Sequence, residues 1–253
     1  MMGKKEKLGE LVRGVSLRIL FLRHAETKVG PRNDWERMLS DAGMSQSKRA
    51  GESFGRALQP FCNVVMSSPA PRCLDTIDHF FKGVSQEVRS MRIVTDPTLY
   101  DGTIQPGASE VFKRLGYQSL STYLKDGGAT SALEKYADDV VDQLINLLES
   151  SDNENKEDGQ KIQPLKDKDQ YQTLLFCGHA VYLPAAGRLC AQLLGAPKHA
   201  LRILTDSNMR PCEAFLLVPS LLKASASNNS TEDTCQVRLF GFDDEEYNDT
   251  FHM

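Results

Sequence analysis

Phe21-Leu22-Arg23-His24-Ala25-Glu26-Thr27 ends the short, mostly apolar run Leu17 to Leu22 in an abrupt polar cluster, and this transition decides how the chain is read. A brief apolar run without polar alternation is the pattern of a parallel strand buried on both faces. The transition recurs twice: Asn63 to Ser67 leads into Ser67-Ser68-Pro69-Ala70-Pro71-Arg72, and Thr173 to Cys177 into Phe176-Cys177-Gly178-His179-Ala180. A helical pattern follows each. Ser40 to Leu58 carries Ser47, Ala50, Gly51, Phe54 and Leu58 on a small-residue face suited to packing closely on a sheet. Pro69 and Pro71 mark the entry to a helix running to about Phe81, and Ala180 to Leu194 forms the third. Met91 to Thr95, Glu213 to Val218 and Gln236 to Phe240 read as further strands, while Leu133 to Leu148 is the clearest helix. Strands alternating with helices predict an α/β protein: a three-layer α/β/α sandwich with a mainly parallel central sheet.

The 253 residues suffice for one such domain, expected over 16–253. Residues 1–15 mix Lys4, Lys5, Lys7 and Arg13 with Glu6 and Glu10 and lack the apolar core of a secretory signal. They predict a mobile, solvated extension, with organelle targeting as a residual role. Residues 96–130 are rich in Gly, Pro and Ser and predict an irregular cap with short helices. Residues 150–170 are almost wholly polar and predict a flexible charged loop, because they bury too little to offset the entropy of ordering. No apolar run reaches the length needed to span a bilayer. A net charge of −4 with scattered Lys and Arg gives no nucleic-acid footprint. Six widely spaced cysteines, Cys62, Cys73, Cys177, Cys190, Cys212 and Cys235, read as the reduced, buried thiols of a cytoplasmic protein. None forms a C-x-x-C pair, so no zinc knuckle is indicated.

In an open parallel sheet, ligands bind beyond the carboxyl ends of the strands, where side chains distant in sequence converge. Arg23, His24, Arg72 and His179 all stand at such ends. Two guanidinium forks can hold phosphoryl oxygens bidentately, and a neutral imidazole between them can attack phosphorus. His24 suits that role, while His179, as a cation or N–H donor, would neutralise charge building on the transferring group. A Cys-x5-Arg loop, a G-x-x-x-x-G-K-[ST] loop, a dinucleotide fingerprint and an H-E-x-x-H helix are all missing from the sequence.

The three motifs in this order resemble the histidine phosphatase superfamily, the phosphoglycerate-mutase-like proteins, which carry Arg-His-Gly, Ser-x-x-x-Arg and His-Gly after successive strands. The resemblance implies that His24 is the phosphorylated nucleophile, that Arg23, Arg72 and His179 complete the phosphate pocket, and that no metal or cofactor is needed. Asp34, Arg37, Leu39 and Gly43 are similar to an Asp-x-x-Arg-x-Leu-x-x-x-Gly stretch of bacterial phosphohistidine phosphatases, which makes Arg37 a secondary phosphate-binding candidate. Ala25 and Ala180 stand where the family has glycine, so a left-handed backbone at either would be strained. Where the family commonly has a Glu as general acid, Leu99-Tyr100-Asp101-Gly102 offers Asp101, with Glu110 as the alternative. The function implied is a phosphatase hydrolysing a phosphomonoester or phosphoramidate through phosphohistidine. A phosphoglycerate-type mutase and a non-catalytic phosphate-binding scaffold are the alternatives. The partner is a phosphorylated small molecule or a phosphoprotein; oligomeric state is left open.

Overall fold

Among the described residues, six strands form one sheet: β1 (Leu17–Arg23), β2 (Phe61–Ser67), β3 (Arg92–Thr95), β4 (Gln172–Gly178), β5 (Ala214–Pro219) and β6 (Cys235–Phe240). They stand in the order β3-β2-β4-β1-β5-β6. Strands β1 to β4 run parallel, and β5 is antiparallel to both β1 and β6. The computed structural model describes residues 3–12, 16–30, 34–84, 91–100, 108–152, 171–219 and 235–241. Its helices are α1 (Lys4–Val12), α2 (Asp41–Ala50), α3 (Pro71–Val84), α4 (Ala108–Leu115), α5 (Leu120–Tyr123), α6 (Gly127–Asp152), α7 (Tyr182–Leu193) and α8 (Lys198–Asp206).

Side chains alternate across a strand, so each apolar run feeds two cores. Ile19, Phe21, Leu174, Phe176, Phe215 and Leu217 pack beneath α6, α7 and α8. Their neighbours Leu20, Leu22, Leu175, Cys177 and Leu216 pack with Phe54, Ile77 and Phe80 on the other face. This is the three-layer α/β/α architecture read from the sequence. Phe21 lies opposite Phe176 on β4 and Phe215 on β5, with ring centroids 5.1 and 4.8 Å apart. A one-residue slip would send this aromatic stack to the wrong face, so the rings fix the register.

The small-residue face read in Ser40 to Leu58, expected to pack closely on a sheet, makes its close contact with α3 instead. Ser40 caps α2 by accepting from the Gly43 N–H at 2.9 Å. After Ala50 the helix continues as one wide turn, Gly51–Gly55. A Cβ at Gly51 would lie 1.9 Å from the Phe80 carbonyl oxygen, and one at Gly83 would lie 2.0 Å from that of Lys48. Reciprocal glycines thus let α2 and α3 touch backbone to backbone.

Residues 4–12 correct the expectation of a mobile extension. They form α1, whose Leu8 is fully buried against the core that α6 also lines. Lys4 pairs with Asp138 and Asp142 at 2.7 and 2.9 Å, and Lys7 with Glu149 at 2.9 Å. Burying one Leu contributes about 2 kcal/mol, and half-exposed ion pairs add at most about 1 kcal/mol each. Helix α6 extends beyond the expected Leu133 to Leu148 at both ends and takes in residues 150–152 of the expected loop; 153–170 lie outside the described residues. Helix α8 was not foreseen. Within 96–130 the described part is a short 3-10 turn, Pro97–Leu99, followed by α4, α5 and the start of α6. No helix among the described residues is long and apolar enough to cross a membrane.

Candidate active site

Register alone brings the motif residues together. Arg23 pairs with Gly178, and Ser67 with Cys177, so the ends of β1, β4 and β2 coincide. The chain then continues the ladder: the His24 N–H donates to the Gly178 carbonyl at 3.0 Å, and the Ser68 N–H to that of Cys177 at 2.9 Å. His24 and His179 consequently sit with ring centroids 5.1 Å apart, and both line a cavity of about 370 Å³ together with Arg23, Arg37, Arg72 and Asp34.

Each side chain is fixed by its neighbours. His24 Nδ1 lies 2.7 Å from the Ala25 carbonyl oxygen, an acceptor only, so Nδ1 carries the proton and Nε2 keeps its lone pair. The Ala25 N–H donates to Thr76 Oγ1 at 3.0 Å, and that hydroxyl donates to the Arg72 carbonyl at 2.6 Å, tying the loop to the first turn of α3. Arg23 donates to the Met209 carbonyl. Arg72, almost fully buried, donates through Nη1 and Nη2 to the Asp34 carbonyl and carboxylate at 2.6 and 2.7 Å. Arg37 reaches the same carboxylate at 3.2 Å and also donates to Thr27 Oγ1. The motif glycine Gly43 allows this arrangement: a Cβ there would meet the Glu26 carbonyl oxygen at 2.0 Å, so α2 starts directly against the segment that follows His24.

Electrostatics follow from crowding cations in a closed site. Burial pushes the His24 imidazole well below its usual value, and the charges of Arg23 and Arg72 push the same way. His24 is therefore neutral near pH 7. Burial also lowers Arg23. Burial alone would raise the Asp34 carboxyl, but Arg72 and Arg37 outweigh it and hold Asp34 below its ordinary range. His179 Nδ1 lies 3.3 Å from Arg72 Nη2 and accepts from it, leaving Nε2–H to donate to Ser68 Oγ at 3.0 Å. Cys73, fully buried at the floor, has its Sγ 3.7 Å from His179 Nε2. Burial opposes its ionisation, but Cys177, His179 and Arg72 prevail and hold the thiol well below its usual range.

The structure thus gathers Arg23, His24, Arg37, Arg72 and His179 around one cavity. It does not bring Glu110 there: that residue is exposed on α4, whose Phe112 and Lys113 line the cavity instead. Asp101 lies outside the described residues. Neither Ala25 nor Ala180 has a positive φ, so no strain arises at either position. Sequence reasoning missed Asp34 as a pocket residue and missed the rings of Tyr100, Tyr117 and Tyr182, which also line the cavity. Asp34 was visible only as a motif position, and the tyrosines carried no signal. Among the described residues, no three His, Cys, Asp or Glu side chains are grouped to hold a metal ion.

No protein-family model matches the sequence, and no curated protein matches it. Solved structures do align with it at low identity. A mycobacterial glucosyl-3-phosphoglycerate phosphatase in complex with VO3 is 18% identical, covering 89% of this chain and 98% of its own, with a TM-score of 0.47. A protein histidine phosphatase, SixA, complexed with tungstate is 13% identical, covering 81% of this chain and 89% of its own, with a TM-score of 0.41. A structure described as mycobacterial hydrolase 2 is 20% identical over 88% of each chain, with a TM-score of 0.48.

Proposed function

We propose that the chain is a metal-independent histidine phosphatase of the phosphoglycerate-mutase-like superfamily, cleaving a phosphomonoester or phosphoramidate through phosphohistidine on His24. The observation that carries this reading is the 2.7 Å bond from His24 Nδ1–H to the Ala25 carbonyl, which fixes the tautomer with an unprotonated Nε2 in the cavity that the arginines line. Nε2 forms a bond to phosphorus as the bond to the leaving oxygen or nitrogen breaks. Arg23, Arg37 and Arg72 hold the non-bridging oxygens and neutralise their charge. Water then attacks phosphohistidine, releasing inorganic phosphate and restoring the neutral imidazole.

His179 accepts from Arg72 and so positions the guanidinium; it serves as an N–H donor to the transferring group when a phosphoryl oxygen replaces Ser68 as its acceptor. Asp34 is held ionised and is unsuited to protonating a leaving group, a role we assign to Asp101, the residue directly after Tyr100. Residues 96–130 are read as the substrate-selecting cap. Six buried free thiols favour a cytoplasmic location.

Rapid mixing with a phosphorylated substrate and alkaline quenching, which preserves phosphohistidine, is expected to trap label on wild-type protein and none on His24→Ala, with phosphate released only by wild type. Label on another residue, or undiminished phosphate release by His24→Ala, would refute the assignment. Binding without label or release would favour a scaffold. Label returned to a second substrate hydroxyl with little free phosphate would favour a mutase.

A further inference from the structure

Two of the pocket's three guanidinium groups are each covered by a tyrosine. Tyr117 lies over Arg23, with the guanidinium carbon 5.3 Å from the ring centroid, and Tyr100 lies over Arg72 at 5.7 Å. Behind each stands a second ring, edge to face: Trp35 against Tyr100 at 4.8 Å and Phe112 against Tyr117 at 5.6 Å. The two pairs come from different parts of the chain, and their outer members are open to solvent, with Trp35 40% and Tyr117 54% exposed. Large apolar surface left open beside a charged cavity marks a place where a ligand's own apolar part rests.

From this arrangement, and resting on the phosphatase reading above, we infer that the site selects aryl phosphomonoesters, such as the phosphorylated phenol of a tyrosine side chain or of a small molecule. The phosphoryl group goes to the arginines, and the first atoms beyond the bridging oxygen must pass between them and the mouth, where the tyrosines stand. A planar ring there gains offset or edge contacts that an alkyl chain of equal area does not. A phenol also leaves as phenolate more readily than an alcohol leaves as alkoxide. The step remains balanced without prior protonation: His24 Nε2 bonds to phosphorus, the phosphorus–oxygen bond breaks, and phenolate takes its proton from water.

Phosphonates test this without turnover, so the wild-type chain serves. Calorimetric titration with benzylphosphonate and cyclohexylmethylphosphonate compares a flat ring with an apolar ring of similar size on the same anion. Benzylphosphonate is expected to bind about fivefold to tenfold tighter, the advantage of one or two aromatic pairs. The ratio should fall toward one in Trp35→Leu and in Tyr117→Leu. Equal affinity, or a preference for the saturated ring, overturns the inference while leaving the phosphatase reading intact. Failure of methylphosphonate and both larger phosphonates to bind would strike the phosphate site itself. A peptide bearing phosphonomethyl-phenylalanine separates the sources: tighter binding than benzylphosphonate identifies a protein substrate, and equal or weaker binding a small aryl phosphate, either of which sustains the aryl preference.

Discussion

Asp34 occupies the fork of Arg72 that the proposed function gives to a phosphoryl group, and replacing it with Asn should strengthen anion binding. Arg72 is nearly enclosed, its side chain 4% exposed, whereas that of Asp34 is 56% exposed, so the carboxylate is the mobile partner of a fixed cation. A hydrogen bond to a charged group is worth about 1.5–3 kcal/mol. Solvent screening of a half-exposed carboxylate reduces this to about 1 kcal/mol. An entering anion must break that bond and overcome the repulsion of the nearby negative charge. Asp34→Asn keeps the side chain's shape and an acceptor for Arg72 but removes the charge. The dissociation constant for inorganic phosphate should fall about fivefold to tenfold, as 1–1.4 kcal/mol corresponds to that ratio. Calorimetry at low ionic strength measures it, and added salt should shrink the difference. The variant should also lose about 1 kcal/mol of stability, because Arg72 and Arg37 lose their counter-charge. Unchanged or weaker phosphate binding would refute the reasoning and show that Asp34 orients Arg72 instead of competing for it.

Other perturbations follow from single contacts. Gly83→Ala places a methyl into the Lys48 carbonyl and should destabilise the chain by about 3 kcal/mol or more, read as a lower urea midpoint; a loss below about 0.5 kcal/mol would show that α2 and α3 part easily. Thr76→Val leaves the buried Ala25 N–H without its acceptor, with an expected loss of about 1–3 kcal/mol and a fall in kcat, while Thr76→Ser restores both; rescue failing in the Ser variant would count against the hydroxyl. Because the His24 pKa is depressed in the folded chain, the unfolded chain binds the extra proton first, so the neutral imidazole's share of stability is complete above pH 6.5 and is lost as pH falls below it toward the folded value. Urea titrations of wild type and His24→Gln between pH 7 and 5 should show a shallower decline in the variant, by up to about 1.4 kcal/mol per pH unit; parallel declines would place the titration elsewhere.

The sheet was readable because burial on both faces leaves a mark that no other element leaves. Leu17 to Leu22 and Thr173 to Cys177 are apolar but for Arg18 and Thr173, and each apolar residue proves to belong to one of the two cores. Helix α1 escaped for the converse reason. Its docking rests on two buried residues one turn apart, Leu8 and Val12, and on lysines reaching acids of α6, so its sequence looks solvated until α6 is in place. Helix α8 buries Ala200 and Leu204 and packs Leu201 and Ile203 against the same core, a helical apolar face confined to nine residues.

The site divides along the same line. Arg23, His24, Ser68 and His179 are located by strand register, and register is specified by which residues must face a core; placing the strands therefore places these side chains without further information. Asp34, Tyr100 and Tyr117 hang from turns and from the margins of short elements, where no periodicity assigns a face. Their positions arise only when Gly43 seats α2 against Glu26 and when α4 lays Phe112 against Tyr182, contacts 17 and 70 residues apart in the chain. The chemistry common to the motif thus sits on the part of the molecule that local pattern encodes. The groups to which we assign ligand choice sit on the part that only tertiary packing fixes, which would let ligand preference change through loop residues while the proposed nucleophile and its arginines stay in place.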